Sequence, residues 1–321
     1  MVLNISLLNN FIYIYIMSFE QKYFKYKNKY LELKKQMGGY EVSSEREKER
    51  MNFLEREKER ERIMNLLKRE PNISELTLYR KFDGLSNDLL KRFKNLNSLI
   101  IKINFDHINL LGDLLKGLFN LQTLSFEGTL YSLNDDSLSN LINLKSLSFN
   151  FRPKHIVNST GYGFNKPLGN LLKNLIKLEV LHLGAEFNQP LGNSLKGLTN
   201  LRMLILGDRD RESLFGEKFN QPLGDSLEGL TNLKILRFGE DFNQPLGDSL
   251  KGLTNLENII FGDKFNQPFG DSLKGLTNLE SIRLGKTFNQ SFGDSLKGLT
   301  NLKNVYSAVT TYRLNGRDIT I

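Results

Sequence analysis

An α/β solenoid of about ten short turns, carrying a helical N-terminal extension, is the fold this sequence predicts. The first sign is a phrase, Phe-Asn-Gln-Pro-Leu-Gly-Asp-Ser-Leu-Lys-Gly-Leu-Thr-Asn-Leu from Phe242 to Leu256, that recurs almost letter for letter through the second half of the chain. The second is its spacing. Phe-Asn pairs stand at Phe164, Phe187, Phe219, Phe242, Phe265 and Phe288, and the last four are 23 residues apart. The third is an apolar triplet in every copy, for example Leu233, Leu236 and Phe238, whose last two members alternate as a half-buried strand requires. A unit this small cannot close a core alone, but stacked units bury a continuous one.

The triplet extends the array well beyond the phrase. It begins at Ile73/Leu76/Leu78, continues through Leu96/Leu99/Ile101, Leu121/Leu124/Phe126, Leu144/Leu147/Phe149, Leu178/Leu181/Leu183 and Leu201/Leu204/Leu206, and ends at Leu302/Val305. These residues resemble the leucine-rich repeats, whose unit is a short strand, a turn and a convex return segment. The Phe-Asn-Gln-Pro-Leu variant is similar to FNIP-type repeats and to the Phe-Asn-Gln-Pro repeats of bacterial surface-antigen-like proteins, which occur in amoebae and in Mimivirus-type giant viruses. The resemblance covers roughly residues 71–310 and implies an architecture far more than an activity.

Within one unit each residue type has a physical task. Gly239 lets the chain leave the strand sharply, and Phe242 returns to the core. Asn243 is placed to satisfy backbone groups exposed by the bend, and its copies are spaced to stack as a ladder. Pro245 stiffens the turn. Asp248 or Ser249 is expected to cap one short helical turn that Gly252 ends.

Five segments follow: residues 1–16, an apolar extension or upstream start; 17–40, a basic amphipathic leader helix; 41–70, a charged helix and N-terminal cap; 71–310, the solenoid; and 311–321, a C-terminal cap hairpin. Residues 1–16 read as a weak signal sequence, an interfacial anchor, or a stretch upstream of a start at Met17. In the leader, Phe19, Tyr23, Tyr26, Tyr30, Leu33 and Met37 line one helix face, and Gly38-Gly39 ends it. Six Lys against two Glu in residues 18–40 suit contact with a membrane or another helix. The alternating charges of Glu45–Arg50 and Glu55–Arg60 make a solvated spacer, after which Ile63, Met64, Leu66 and Leu67 are expected to cover the first turn. Beyond Thr311, Asn315-Gly316 signals a hairpin.

Composition narrows the chemistry. There is no cysteine, which excludes disulfides, thiol catalysis and cysteine-based zinc sites. His107, His155 and His182 share no metal-ligand spacing, and the glycines follow the repeat phase rather than forming a phosphate loop. Asp225, Asp248, Asp271 and Asp294 are better explained as caps than as a calcium ladder. No catalytic, cofactor or metal residue is assigned, and the chain is read as a non-enzyme. Net charge is +8, but the repeat body is close to neutral and lacks the basic stripe a specific nucleic-acid reader needs.

What varies between copies points to function. The strand residues flanking the second apolar position should face the concave side of the sheet, and they change in size and charge while the frame around them stays fixed. The resulting candidates for a partner surface are His182, Met203, Ile205, Ile235, Arg237, Asn258, Ile260, Arg283 and Tyr306. Two turns carry additions, near Arg152–Gly163 and Asp208–Gly216, that should emerge on one rim. The expected role is a scaffold that binds a protein through the concave face and rim loops; a ubiquitin-ligase adaptor and a structural or membrane-associated virion component are the alternatives. By resemblance the partner would be a host or viral protein, and the place of action the host cytoplasm or the virion.

Overall fold

The computed structural model describes residues 58–79, 87–104, 114–129, 133–150, 163–207, 217–307 and 311–313. The apolar extension, the leader, most of the charged spacer, His107, His155, Asn315-Gly316 and nearly all of the two long additions lie outside the described residues. By contacts the chain divides into Met1–Lys58 and Glu59–Ile321, and all that follows concerns the second unit.

Among the described residues eleven strands form one sheet in sequence order. They are β1 (Glu75–Tyr79), β2 (Ser98–Asn104), β3 (Thr123–Thr129), β4 (Ser146–Asn150), β5 (Val180–His182), β6 (Met203–Leu206), β7 (Ile235–Phe238), β8 (Asn258–Ile260), β9 (Ser281–Arg283), β10 (Asn304–Tyr306) and β11 (Thr311–Arg313). The first ten run parallel, with Leu76, Leu99, Leu124, Leu147, Leu181, Leu204, Leu236, Ile259, Ile282 and Val305 paired in one row. β11 turns back and pairs antiparallel with β10. Period-2 alternation explains the orientation: that row is buried, as are Phe238 and Phe261 two residues on, while the residues between face out. We call the edge at which the chain enters the strands the leading edge, and the other the trailing edge.

Two side-chain columns hold successive turns together. Phe164, Phe187, Phe219, Phe242, Phe265 and Phe288 stack with ring centroids 6.0 to 6.1 Å apart, and Phe238 lies 4.0 Å from Phe242. Beside them, the Asn243 side-chain oxygen accepts from the backbone N–H of Asn266 at 2.9 Å and from Gln267 Nε2 at 3.1 Å. The same pair of bonds joins Asn165 to Asn188 and Gln189, Asn188 to Asn220 and Gln221, and Asn220 to Asn243 and Gln244. The ladder expected from the repeated asparagine is therefore present, and Gln supplies a second donor to each rung.

A further asparagine column was not foreseen. The Asn of each Leu-Thr-Asn-Leu donates its Nδ2 to a carbonyl of the preceding turn: Asn232 to Thr199, Asn255 to Thr231, Asn278 to Thr254 and Asn301 to Thr277, at 2.8 to 2.9 Å. It pins the leading edge as the first column pins the trailing side.

The return segments differ from expectation. Among the described residues those after β3 are runs of tight turns, with one 3-10 segment, Gly293–Leu296, in the last copy. Asp294 and Ser295 lie inside that segment, Phe292 occupies the N-cap with no side-chain cap bond, and the Asp294 carbonyl accepts from the backbone of Lys297. With so short a return there is no row of free helix N–H groups for the aspartate to cap. Gly252 does take a left-handed conformation, φ +87°, where the turn ends.

At the N-terminal side, residues 58–69 are helical (α1), and Asn87–Leu90 forms a single turn (α2). Ile63 and Leu67 of α1 are buried in the common core, and Met64 and Leu66 pack against it. Arg62 pairs with Glu59 at 2.8 Å and donates to the Thr77 carbonyl of β1 at 2.6 Å, which ties the helix to the first strand.

Candidate partner-binding face

The register places the sequence-predicted residues in two columns on the side of the sheet away from the core. Met203, Ile235, Asn258, Ser281 and Asn304 form one, and His182, Ile205, Arg237, Ile260, Arg283 and Tyr306 the other. From β7 to β10 every one of these side chains is partly exposed.

Two of the predicted residues are not available at this surface. His182 is 2% and Ile205 4% exposed, although both were expected to face solvent. His182 is a cross-turn staple: Nε2 lies 2.6 Å from the Gly207 carbonyl and Nδ1 3.0 Å from Ser148 Oγ. A carbonyl only accepts, so Nε2 carries the proton, and in the neutral ring Nδ1 accepts from the serine hydroxyl. The ring thus links β4 to the end of β6, just ahead of the two long additions. Ile205 sits in register between His182 and Arg237, two large side chains in its own column. Alternation gives the side of a sheet on which a residue sits, but not what its neighbours cover.

Where β7 to β10 end, the surface opens into a cleft of about 420 Å³. Arg237, Ile260, Arg283 and Tyr306 form one wall, and the Arg283 guanidinium lies 5.2 Å from the Tyr306 ring centroid, a cation–π contact that orients both. Glu217, Glu240 and Asp263 line the other wall, each two residues before a core phenylalanine of its turn. Lys286 closes that row and pairs with Asp263 at 2.5 Å, which raises the lysine above its ordinary pKa, first through the hydrogen bond and then through the charge.

Glycines explain why the cleft is open. A Cβ on Gly262 would stand 2.1 Å from the Gly239 carbonyl oxygen, and one on Gly285 2.2 Å from that of Gly262. Only glycine permits backbones of successive turns to approach so closely, so the column between the two walls carries no side chain. This close approach, more than a sharp exit from the strand, is what the trailing-edge glycine supplies.

The acidic wall escaped the sequence reading. Its signal was available in the variable positions just ahead of each invariant Phe-Asn: Glu217, Glu240, Asp263 and Lys286 change while Phe and Asn do not. Among the described residues no group of three or more His, Cys, Asp or Glu could hold a metal ion.

No family model matches this chain, and no curated protein matches it. Several solved structures are similar in fold. A leucine-rich-repeat protein of Leptospira interrogans shares 19% identity over 76% of this chain and 56% of its own length, with a TM-score of 0.49. TLR13 in its complex with ssRNA13 shares 18% over 73% of this chain and 39% of its own, TM-score 0.40. Toll of Drosophila, in its complex with Spätzle, shares 12% over 72% and 39%, TM-score 0.39. The chain thus spans little more than half of the first of these proteins and less than half of the other two. By its parallel ladder and 23-residue step, this chain is a solenoid of the leucine-rich-repeat type.

Proposed function

We propose that this protein is a non-enzymatic scaffold that binds a protein partner, host or viral by the resemblance of its repeats, through the open sheet face of β7–β10. The cleft at the trailing edge carries the reading. Apolar Ile260 and the Tyr306 ring lie beside Arg283, and a rail of carboxylates stands opposite. Such a surface suits a polypeptide bearing both signs of charge: the Arg283 guanidinium takes a carboxylate in bidentate fashion, Glu240 takes Lys or Arg, and the apolar centre supplies desolvation. The same rail opposes nucleic acid, because a phosphodiester chain seated there would meet Glu217, Glu240 and Asp263.

Affinity capture with the full chain, alongside the variant Arg283→Ala/Tyr306→Ala, tests this. The partner should be recovered with the parent protein and lost with the variant, while the melting curve stays put. Equal recovery of the same partners by both proteins would remove the cleft from the binding surface. For the leader, deletion of residues 1–40 should leave the circular dichroism of the repeat body unchanged and abolish co-sedimentation with anionic liposomes.

A further inference from the structure

The repeat provides its own reference for what each surface position normally holds, and one column departs from it in one place. Thr199, Thr231, Thr254, Thr277 and Thr300 occupy the position before the leading-edge asparagine in the later turns. In three consecutive earlier turns that position holds Phe119, Ile142 and Ile176, exposed by 53%, 50% and 57%. Among the described residues these are the large apolar side chains most open to water, and all belong to this one column. Their backbone is fixed: Asn143 Nδ2 donates to the Phe119 carbonyl and Asn200 Nδ2 to that of Ile176, each at 2.8 Å.

Immediately beside this ridge lies a second cleft, of about 630 Å³, at the leading edge of the first turns. Lys94, Lys145 and Lys177 line it together with the amides of Asn120, Gln122 and Asn143, and none of its lining residues is acidic. Lys177 Nζ donates to Asn143 Oδ1 at 2.7 Å, which places the ammonium over the cleft floor. Of the carboxylates on nearby strands, Glu127 is engaged by Lys102 at 2.9 Å and Glu179 by Arg202 at 3.9 Å, while Glu75 stands exposed at the start of β1, outside the lining. Further out, Lys116 and Lys173 are exposed on the same turns.

We infer that the leading edge of β1–β5 is a second docking site, independent of the open-face cleft, and that its occupant is an extended acidic polypeptide segment with apolar residues between its carboxylates. The lysines supply charge complementarity with no carboxylate in the lining, whereas the cleft at the other edge sets its arginines against Glu217, Glu240 and Asp263. The amides match the donors and acceptors of an extended backbone. The apolar ridge takes intervening side chains over three turns, roughly 10 Å at about 4.8 Å per strand, the reach of three or four extended residues. Nucleic acid fits less well, because successive bases need aromatic platforms and Phe119 is the single aromatic of the ridge. A bilayer fits less well because the lysines line a concavity rather than a plane.

The probe is a fluorescein-labelled peptide of about twelve residues alternating glutamate and leucine, titrated with the full chain and read by anisotropy. The parent protein should bind it, more weakly at high salt. Phe119→Thr/Ile142→Thr/Ile176→Thr inserts the residue the later turns already use, so the fold is kept, and affinity should fall about tenfold or more; Lys94→Gln/Lys145→Gln/Lys177→Gln should act alike. Arg283→Ala/Tyr306→Ala should leave this peptide's affinity unaltered, which separates the two sites. No binding by the parent protein, or equal binding by both triple variants, overturns the proposal. So does loss of oligothymidylate or phosphatidylserine-vesicle binding in the triple variants when the peptide itself is not held, since the edge would then serve a nucleic acid or a membrane.

Discussion

The turns around β7–β10 and those around β1–β5 are built on one frame yet vary in different places. In the later turns the leading edge repeats Thr-Asn, and diversity lies on the open sheet face, in the positions before each Phe-Asn, and in the paired charges at the strand entries, Lys234 with Glu257 and Lys303 with Glu280. In the earlier turns the leading edge itself departs from the pattern, with Phe119, Ile142, Ile176 and the lysines beside them. A repeat that holds its frame fixed turns every departure into a comparison with itself. Positions that bear the frame change only among apolar residues, as from Leu206 to Phe238 or Leu246 to Phe269; those that do not are where two different surfaces have been written.

The sharpest way to break this comparison is through the core both halves share. Phe242→Ala removes a fully buried ring stacked on Phe219 and Phe265 at 6.0 Å and should cost about 3–5 kcal/mol in urea unfolding. Phe288→Ala, at the partly buried end of the column, should cost no more than about half as much. A flat profile along the column would mean that the rings act independently of their neighbours.

Next in size are the polar columns. Asn243→Ala strips an acceptor from the backbone N–H of Asn266 and from Gln267, for an expected loss of about 1–3 kcal/mol. His182→Leu, which orphans the Gly207 carbonyl, should fall in the same range of about 1–3 kcal/mol, and Ser148→Ala below it. Chemical denaturation of the three variants ranks them.

Smaller still are the surface changes. Arg283→Ala and Tyr306→Ala should each shift stability within about 0.5 kcal/mol, as should Phe119→Thr, because none reaches the core. The exposed pair Lys264–Asp241, 2.7 Å apart, should be the least visible. Asp241 raises the lysine above its ordinary value through a hydrogen bond and its charge, so whatever the pair contributes is present at neutral pH and is lost only as pH climbs through the raised value, above 10.5. Thermal melts between pH 7 and 9 should be insensitive to Lys264→Met.

Much of this was legible from spacing. The triplet Leu233/Leu236/Phe238 gave the strand and its buried side, and the recurring Asn243 gave the ladder, because a frozen polar residue at a bend needs a backbone task. The second asparagine column was hidden in Leu-Thr-Asn-Leu, which reads equally well as a polar turn. Asp248 and Ser249 suggested a cap because they are good caps, but the return proved too short to present free N–H groups. His182 and Ile205 lay in the outward phase of their strands and yet are covered, since cover depends on groups of the neighbouring turns, 25 and 34 residues away for His182. Arg237, Ile260, Arg283 and Tyr306 were brought together as expected; the facing carboxylates were not anticipated, because they belong to a column that the apolar triplet does not index.

The asparagine ladder also bears on how such a chain changes length over generations. Asn188 bonds Asn220 across 32 residues with the same geometry by which Asn220 bonds Asn243 across 23. Each rung is a donor to the turn before and an acceptor for the turn after, and it does not register how much chain passes between. A gene segment encoding one unit can therefore be duplicated or excised by unequal recombination and leave every remaining bond with a partner. Copy number then changes the stability of the fold by one unit and one interface at a time, and the surfaces it carries can be moved apart or together one turn at a time.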